Sequence, residues 1–286
     1  MQKGTDSTPC IRPMTVRDIP LAMRLKAQAG WNQTPQDFER FLFLEPAGCL
    51  VGELAGVPLA TATAFVFDHV GWIAMILVAA EARGRGLGTA ITRHALRYLE
   101  SRDVRSIRLD ATPLGRPIYR KLGFVPQYDL GRFVGVASSH KTDPRVGPLL
   151  PGDLERVLQL DQYVTATRRD RLLRRLHEES PDTFYVMREA EMITGYLTSR
   201  AGSNGRQIGP GIAISTSAGL ALLDGVAAQH AGAPIVIDIP CQNHVATAWA
   251  TDRGLIAQRS LTSMSRGPAI AERAEAIWAS SGPEKG

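Results

Sequence analysis

The sequence predicts an α/β protein made of two units with the same order of elements. Three observations carry this. Apolar runs of strand length alternate with helical patterns along the 286-residue chain. One such run, Trp72 to Val78, leads into the glycine-rich stretch Arg83-Gly-Arg-Gly-Leu-Gly88 and then into a helical pattern. Finally, Gly88, Thr112, Tyr119 and Gly123 are echoed by Gly219, Asn243, Ala250 and Gly254, each pair 131 positions apart. A constant offset at four positions points to duplication, with an insertion to explain why Asp110 and Asp238 are 128 apart. The length also exceeds one ordinary core. The expected division is residues 1–140, a proline-rich linker over 141–151, and residues 152–286.

Residues 9–13 read as a first strand. Ile19, Leu21, Ala22 and Leu25 give 16–28 a helical period, with Thr15 or Asp18 as caps. Thr34-Pro35-Gln36-Asp37 is a cap followed by proline at the first helical position, and Phe38, Phe41, Leu42 and Leu44 form that helix's apolar face. Residues 48–53 and 57–67 are strands joined through Leu54-Ala-Gly56 as a hairpin. From Gly88 a helix runs to about Ser101, with Ala90, Ile91, Ala95, Leu96 and Leu99 inward. A strand over 105–110 and a helix over 116–122 follow, closed by Gly123-Phe124. The second unit reads as helices over 152–163 and 168–179 and strands near 183–189, 192–200 and 206–214. A helix over 217–230, a strand at 234–239 and a helix at 243–253 complete it.

Composition narrows the function classes. With 44% apolar and 21% charged residues, the chain has the make-up of a soluble globular protein. No apolar run reaches the ~18–20 residues of a membrane span, and Met1 to Cys10 lacks the apolar core of a leader, so a cytoplasmic protein with no membrane partner is expected. Cys10, Cys49 and Cys241 are scattered and odd in number, which argues against disulfides and a zinc site; no metal is expected. The net charge of +5 comes from dispersed residues, aromatics are 6%, and no nucleic-acid motif appears, so no nucleic-acid partner is expected. The densest basic cluster, Arg168 to Arg175, reads as the wet face of an amphipathic helix.

The chemistry concentrates at residues 83–88. Glycines let consecutive main-chain N–H groups converge, a helix N-terminus adds about half a positive charge, and Arg83 and Arg85 add whole ones. The stretch is therefore a phosphate cradle. Walker A would need a lysine that is absent, and the dinucleotide fingerprint would need glycine where Thr89 stands. What is present is Arg83-x-x-Gly86-x-Gly88 behind an apolar strand. Some 30 residues on comes Tyr119-Arg-Lys-Leu-Gly-Phe124. Together these resemble the GNAT superfamily of N-acyltransferases over roughly residues 9–135.

The resemblance implies two GNAT-like domains, each a mixed, mostly antiparallel sheet flanked by helices. It implies acetyl-CoA as acyl donor, held by Leu77, Val78, Arg83, Gly84, Arg85, Gly86, Leu87, Gly88, Thr89 and Thr112. An amine attacks the thioester, a main-chain N–H around Val78 meets the oxyanion, and Tyr119 protonates the departing sulfur as general acid. Thr112 departs from the family's frequent asparagine, though a hydroxyl can still hydrogen-bond there. Glu81 and Asp110 are weighed as the base without a decision, and His69 and His94 have no partner pattern. Trp31-Asn32-Gln33 sits where the family builds its acceptor wall, and Trp72 and Met75 lie on the strand beside it.

This ordered set, with Asp110-Ala-Thr-Pro, resembles a tandem subgroup whose second domain is related to holothin acyltransferase-type sequences. In the second unit Ile214-Ser-Thr-Ser-Ala-Gly219 has lost the arginines and Ala250 fills the tyrosine slot, so it is expected to be degenerate. Its expected contribution is an acceptor wall from Tyr196, Asp238 and Asn243, set against a plainer reading as turns and a helix cap, which for Asn243 is the better one. The expected activity is acetyl transfer to a primary amine of a small molecule. A peptide or protein N-acetyltransferase and a non-catalytic acyl-CoA sensor stand as alternatives, and homodimerisation is left open.

Overall fold

A computed structural model describes residues 8–284. Residues 1–7, on which the leader expectation partly rests, and residues 285–286 lie outside the described residues. The first unit contains β1 (Cys10–Pro13), α1 (Ile19–Gln28), α2 (Pro35–Leu44), β2 (Cys49–Leu54), β3 (Val57–Phe67), β4 (Val70–Val78), α3 (Leu87–Glu100), β5 (Ser106–Ala111), α4 (Arg116–Lys121) and β6 (Val125–Val136). The second contains β7 (Val146–Pro148), α5 (Leu154–Thr165), α6 (Asp170–Glu179), β8 (Phe184–Glu189), β9 (Met192–Arg200), β10 (Arg206–Ala213), α7 (Thr216–Gln229), β11 (Pro234–Pro240), α8 (His244–Asp252), β12 (Ile256–Arg266) and β13 (Ile277–Ala279). Thus the stretch expected as a linker contributes a short strand, and two strands follow the last expected helix. Among the described residues no helix is long and apolar enough to cross a membrane.

All the strands join one sheet in the order β1-β2-β3-β4-β5-β12-β6-β11-β10-β9-β8-β7, with β13 added on β10. It is mixed and mostly antiparallel, the parallel pairs being β4–β5 and β10–β11. The two units are interlocked. β12 of the second pairs with β5 of the first, and β6 of the first pairs with β11 of the second. Between them β6 and β12 run antiparallel, with Val134 opposite Ile256 and Val125 opposite Ser265, a register symmetric under the 131-residue offset.

Local chemistry explains the elements nearest the site. The Thr34 hydroxyl accepts from the Asp37 N–H while the Asp37 carboxylate accepts from the Thr34 N–H, a reciprocal cap that starts α2. On β4, Met75 and Ile76 face the single residue Ala62, and Met75 has φ +49°. A non-glycine residue in this region marks a built feature. The Thr61 hydroxyl holds the bulge by donating to the Met75 carbonyl at 2.9 Å. Pairing of β4 with β5 ends at Trp72–Arg108, and the two strands part beyond it.

The corresponding wedge in the second unit is filled by the chain itself. β10 pairs with β11 at Arg206–Ile208, after which β13 takes its place on β10, with Ala279 opposite Gly211. Trp278 then lies against the first turn of α7, so close that a Cβ on Gly219 would fall 1.9 Å from its ring. Trp278 is buried and has little room to yield. Gly219→Val is therefore expected to cost about 2 kcal/mol or more, read as a lower midpoint in urea with acetyl-CoA affinity retained.

One reading of the basic cluster needs correcting. Arg169 points inward, buried, to Asp161, which it meets at 2.6 and 3.0 Å; only its neighbours form a wet face.

Candidate active site

The loop ahead of α3 has the form an anion site needs. Gly84 and Gly86 adopt φ +75° and +79°, and the space where their side chains would stand is open. Gly86 is the N-cap of α3, so the first-turn amides of Leu87, Gly88 and Thr89 have no intrahelical acceptor. Arg83 and Arg85 are exposed beside them. Gly88 lets the helix approach the strand, since a Cβ there would meet the Val78 side chain at 3.3 Å. Val78 and the buried Leu77 close β4 at this point.

Where β4 and β5 part, a chamber opens whose space, part of it shared with solvent, is about 500 Å³. Its walls are Ile73 to Ile76, Leu109 and Asp110, Thr112 and Tyr119, Trp31 and Gln33, Arg259 and Leu261 of β12, and Pro283 and Glu284. The chamber therefore combines residues expected on the cofactor and acceptor sides of the first unit with a strand and a tail from the second. A neighbouring cavity shares Asp110 and is lined by Trp72, Arg108, Tyr128 and Glu272 among others. Ser280 and Ser281 line this neighbouring cavity and Pro283 and Glu284 the chamber, and the Trp72 indole donates to the Pro283 carbonyl at 3.2 Å.

Tyr119 lies half-buried in α4, with its ring edge-on to Phe124 at 6.1 Å. Burial pushes its phenol up to about 12, so it holds its proton at neutral pH. Thr112 accepts from the Gly115 N–H at 3.2 Å and so shapes the turn into α4. Asp110, opposite Ser263 of β12, is the unusual carboxyl: burial, reinforced by Asp238 and Glu272 and opposed by Arg108 and Ser263, raises it to about 7. Its Oδ1 is buried and has no hydrogen-bond partner. A titration point near neutrality in a cleft is what a general base requires.

The other acceptor candidates divide. Trp31 and Met75 line the chamber, whereas Trp72 lines the neighbouring cavity. Asn32, Tyr196, Asp238 and Asn243 stand outside both. Asn32 is buried, donates to Gly205 and Gln207 and accepts from the Asn204 N–H, tying the α1–α2 loop to the second unit. The Tyr196 hydroxyl donates to Asp161 at 2.6 Å in the core. Asp238 accepts two bonds of 2.7 Å from Arg132 and one from Gln207. Asn243 caps α8 by accepting from the Ala246 N–H and donates to the Ile277 carbonyl. Each of these polar groups is spent satisfying buried structure.

Arg259 and Glu284 escaped the sequence reading. They reach the chamber only through the insertion of β12 and the return of the tail, and no local motif marks either. Glu284 is fixed by ion pairing with Arg200 and by Gln33, which donates at 2.9 Å.

Both halves of the chain match known protein domains. Residues 19–124 match the acetyltransferase (GNAT) family profile, and residues 157–279 match a second acetyltransferase (GNAT) domain profile. The chain is 26% identical over 201 residues to the holothin acyltransferase of a Pseudoalteromonas species, covering 70% of this chain and 67% of that one. It is 24% identical over 226 residues to the uncharacterized N-acetyltransferase YitH of Bacillus subtilis, covering 77% and 78%. A putative acetyltransferase from Pyrococcus horikoshii superposes with a TM-score of 0.83 at 23% identity, over 100% of this chain and 97% of that one. A tandem GNAT protein from the clavulanic acid biosynthesis pathway superposes at 0.63 and 12% identity, over 92% and 100%.

Proposed function

Because the chain belongs to the tandem GNAT family and is an acyltransferase, we propose that it moves acetyl from acetyl-CoA to a primary amine of a small molecule. The observation that carries this is the single chamber holding Tyr119 and Asp110 behind an open anion loop. When bound, acetyl-CoA supplies an activated acyl group and a thiol leaving group. The amides of residues 84–89, with Arg83 and Arg85, hold the diphosphate, while Leu77, Val78 and Thr112 flank the arm that reaches the chamber.

Asp110 takes the proton released by the attacking amine, directly or through one water. A main-chain N–H of β4 around Val78 meets the oxyanion, and Tyr119 gives its proton to the departing sulfur. A phenol at about 12 is a weak acid for a thiol of pKa about 8.5 in water. However, a thiolate expelled into the same dry cleft loses its hydration too, which brings the two proton affinities together. The β13-filled wedge leaves the second unit without an equivalent arm channel, so one acetyl-CoA is bound per chain.

The test is calorimetry with acetyl-CoA, expected to give one site, followed by thiol release with a panel of primary amines. Binding without turnover on any amine overturns the enzyme reading in favour of a sensor, and no heat at all removes its basis.

The base assignment makes its own prediction. Asp110 acts when ionised, so with its carboxyl raised to about 7, kcat/KM rises about tenfold per pH unit below that point and levels above it. Asp110→Asn loses this limb. A carboxyl raised on folding also costs stability once pH exceeds its unfolded value, a penalty fully present above about 7. The asparagine variant is therefore expected to melt higher than wild type at pH 8, with the gain shrinking toward pH 4.

A further inference from the structure

The buried arginines Arg40, Arg108, Arg132, Arg169 and Arg200 all meet carboxylates. The half-buried Arg259 does not. It lines the chamber with Tyr119, its guanidinium centre lies 5.8 Å from the Trp31 ring centroid, and its buried Nε has no hydrogen-bond partner. Its nearest acidic influences are already engaged, Asp238 by Arg132 and Gln207, Glu284 by Arg200 and Gln33. Burial and the facing Arg132 lower its guanidinium to about 10, the direction expected of a cation lacking a counter-charge. In register, Arg259 stands opposite Arg132 on β6, four residues along β12 from Ser263, which stands opposite Asp110. Residues 259, 261 and 263 share one face of the strand. The chamber thus presents an uncompensated cation and, in Asp110, a carboxyl with an unused oxygen.

We infer that Arg259 binds the carboxylate of the acceptor, and that the acceptor is an amino acid, with its amine directed to Asp110 and its acid group to Arg259. The inference rests on the acetyltransferase reading and narrows its acceptor. Arg259 comes from the second unit, so that unit selects the substrate although its own wedge is closed. The Trp31 ring lies within cation–π reach of the guanidinium and helps to position it, and a guanidinium can meet a carboxylate with two parallel N–H bonds.

The test compares thiol release from acetyl-CoA with amino acids, their methyl esters and their decarboxylated amines. The free acids are expected to exceed the matched esters by about 10- to 100-fold in kcat/KM, the range of a charge-assisted bond. In Arg259→Met that ratio is expected to fall to about threefold or less, while Arg259→Lys keeps part of it. Acetyl-CoA affinity and the melting temperature of both variants, measured alongside, establish folding. Esters or plain amines reacting as well as acids in the unaltered protein overturn the inference and leave the transferase reading intact. So does an acid preference that survives in Arg259→Met, or an acetyl-CoA affinity that collapses there while the fold persists. Transfer to no amine at all overturns the transferase reading and this inference with it.

Discussion

Tyr119→Phe is expected to bind acetyl-CoA within about threefold of the parent and to lose about 10²- to 10⁴-fold in kcat, the range of a single general acid. The substitution removes one oxygen. Among the described residues that hydroxyl has no hydrogen-bond partner, so its loss leaves no buried group unsatisfied, and the melting temperature should stay within about a degree or two. The ring keeps its edge contact with Phe124 and its close packing on Gly115, where a Cβ would meet it at 2.8 Å. A structural role for Tyr119 would show in stability and a binding role in acetyl-CoA affinity. Only proton donation moves kcat alone. An unchanged kcat in a folded variant excludes Tyr119 as the acid.

The local structure of the proposed donor half was legible in the sequence because its signals are local. A strand, glycines and a helix start within a dozen positions define the anion loop, and Tyr119 sits beside its own glycine-phenylalanine closure. The acceptor half is assembled by topology. β12 reads as Ile-Ala-Gln-Arg-Ser-Leu-Thr-Ser-Met-Ser-Arg, without the apolar alternation that signals a strand, because its buried Ser263 is there to meet Arg108 and Asp110. β13 has three residues, too few for a pattern. Asn32, Tyr196 and Asp238 looked like acceptor contacts because a buried polar side chain has the same composition whether it serves a ligand or a neighbour. Only the partners decide, and here they are protein groups. The duplication itself was visible as an offset, but not that each unit lends a strand to the other.

That lending carries the second large expectation: a chain ending at residue 140 should show no acetyl transfer and should not fold stably. In it β6 would lose both neighbours, since β11 and β12 belong to the second unit, and β5 would become a bare edge. Four buried arginine–carboxylate pairs cross between the units: Arg40–Glu179, Arg108–Glu272, Arg132–Asp238 and Arg200–Asp37. Removing one partner of such a pair typically costs about 3–5 kcal/mol, so losing even two matches a domain's whole stability of about 5–15 kcal/mol. A dimer of the fragment through β6 would not restore the chamber, because the register symmetry puts Tyr128 where Arg259 stands. By contrast, cutting the full chain between residues 141 and 142 through an inserted protease site severs no sheet pairing. The nicked protein should therefore stay associated through size-exclusion chromatography and keep most of its activity. A soluble, active 1–140 fragment would show instead that the second unit is dispensable to the site, and the interlocked strands would lose their functional meaning.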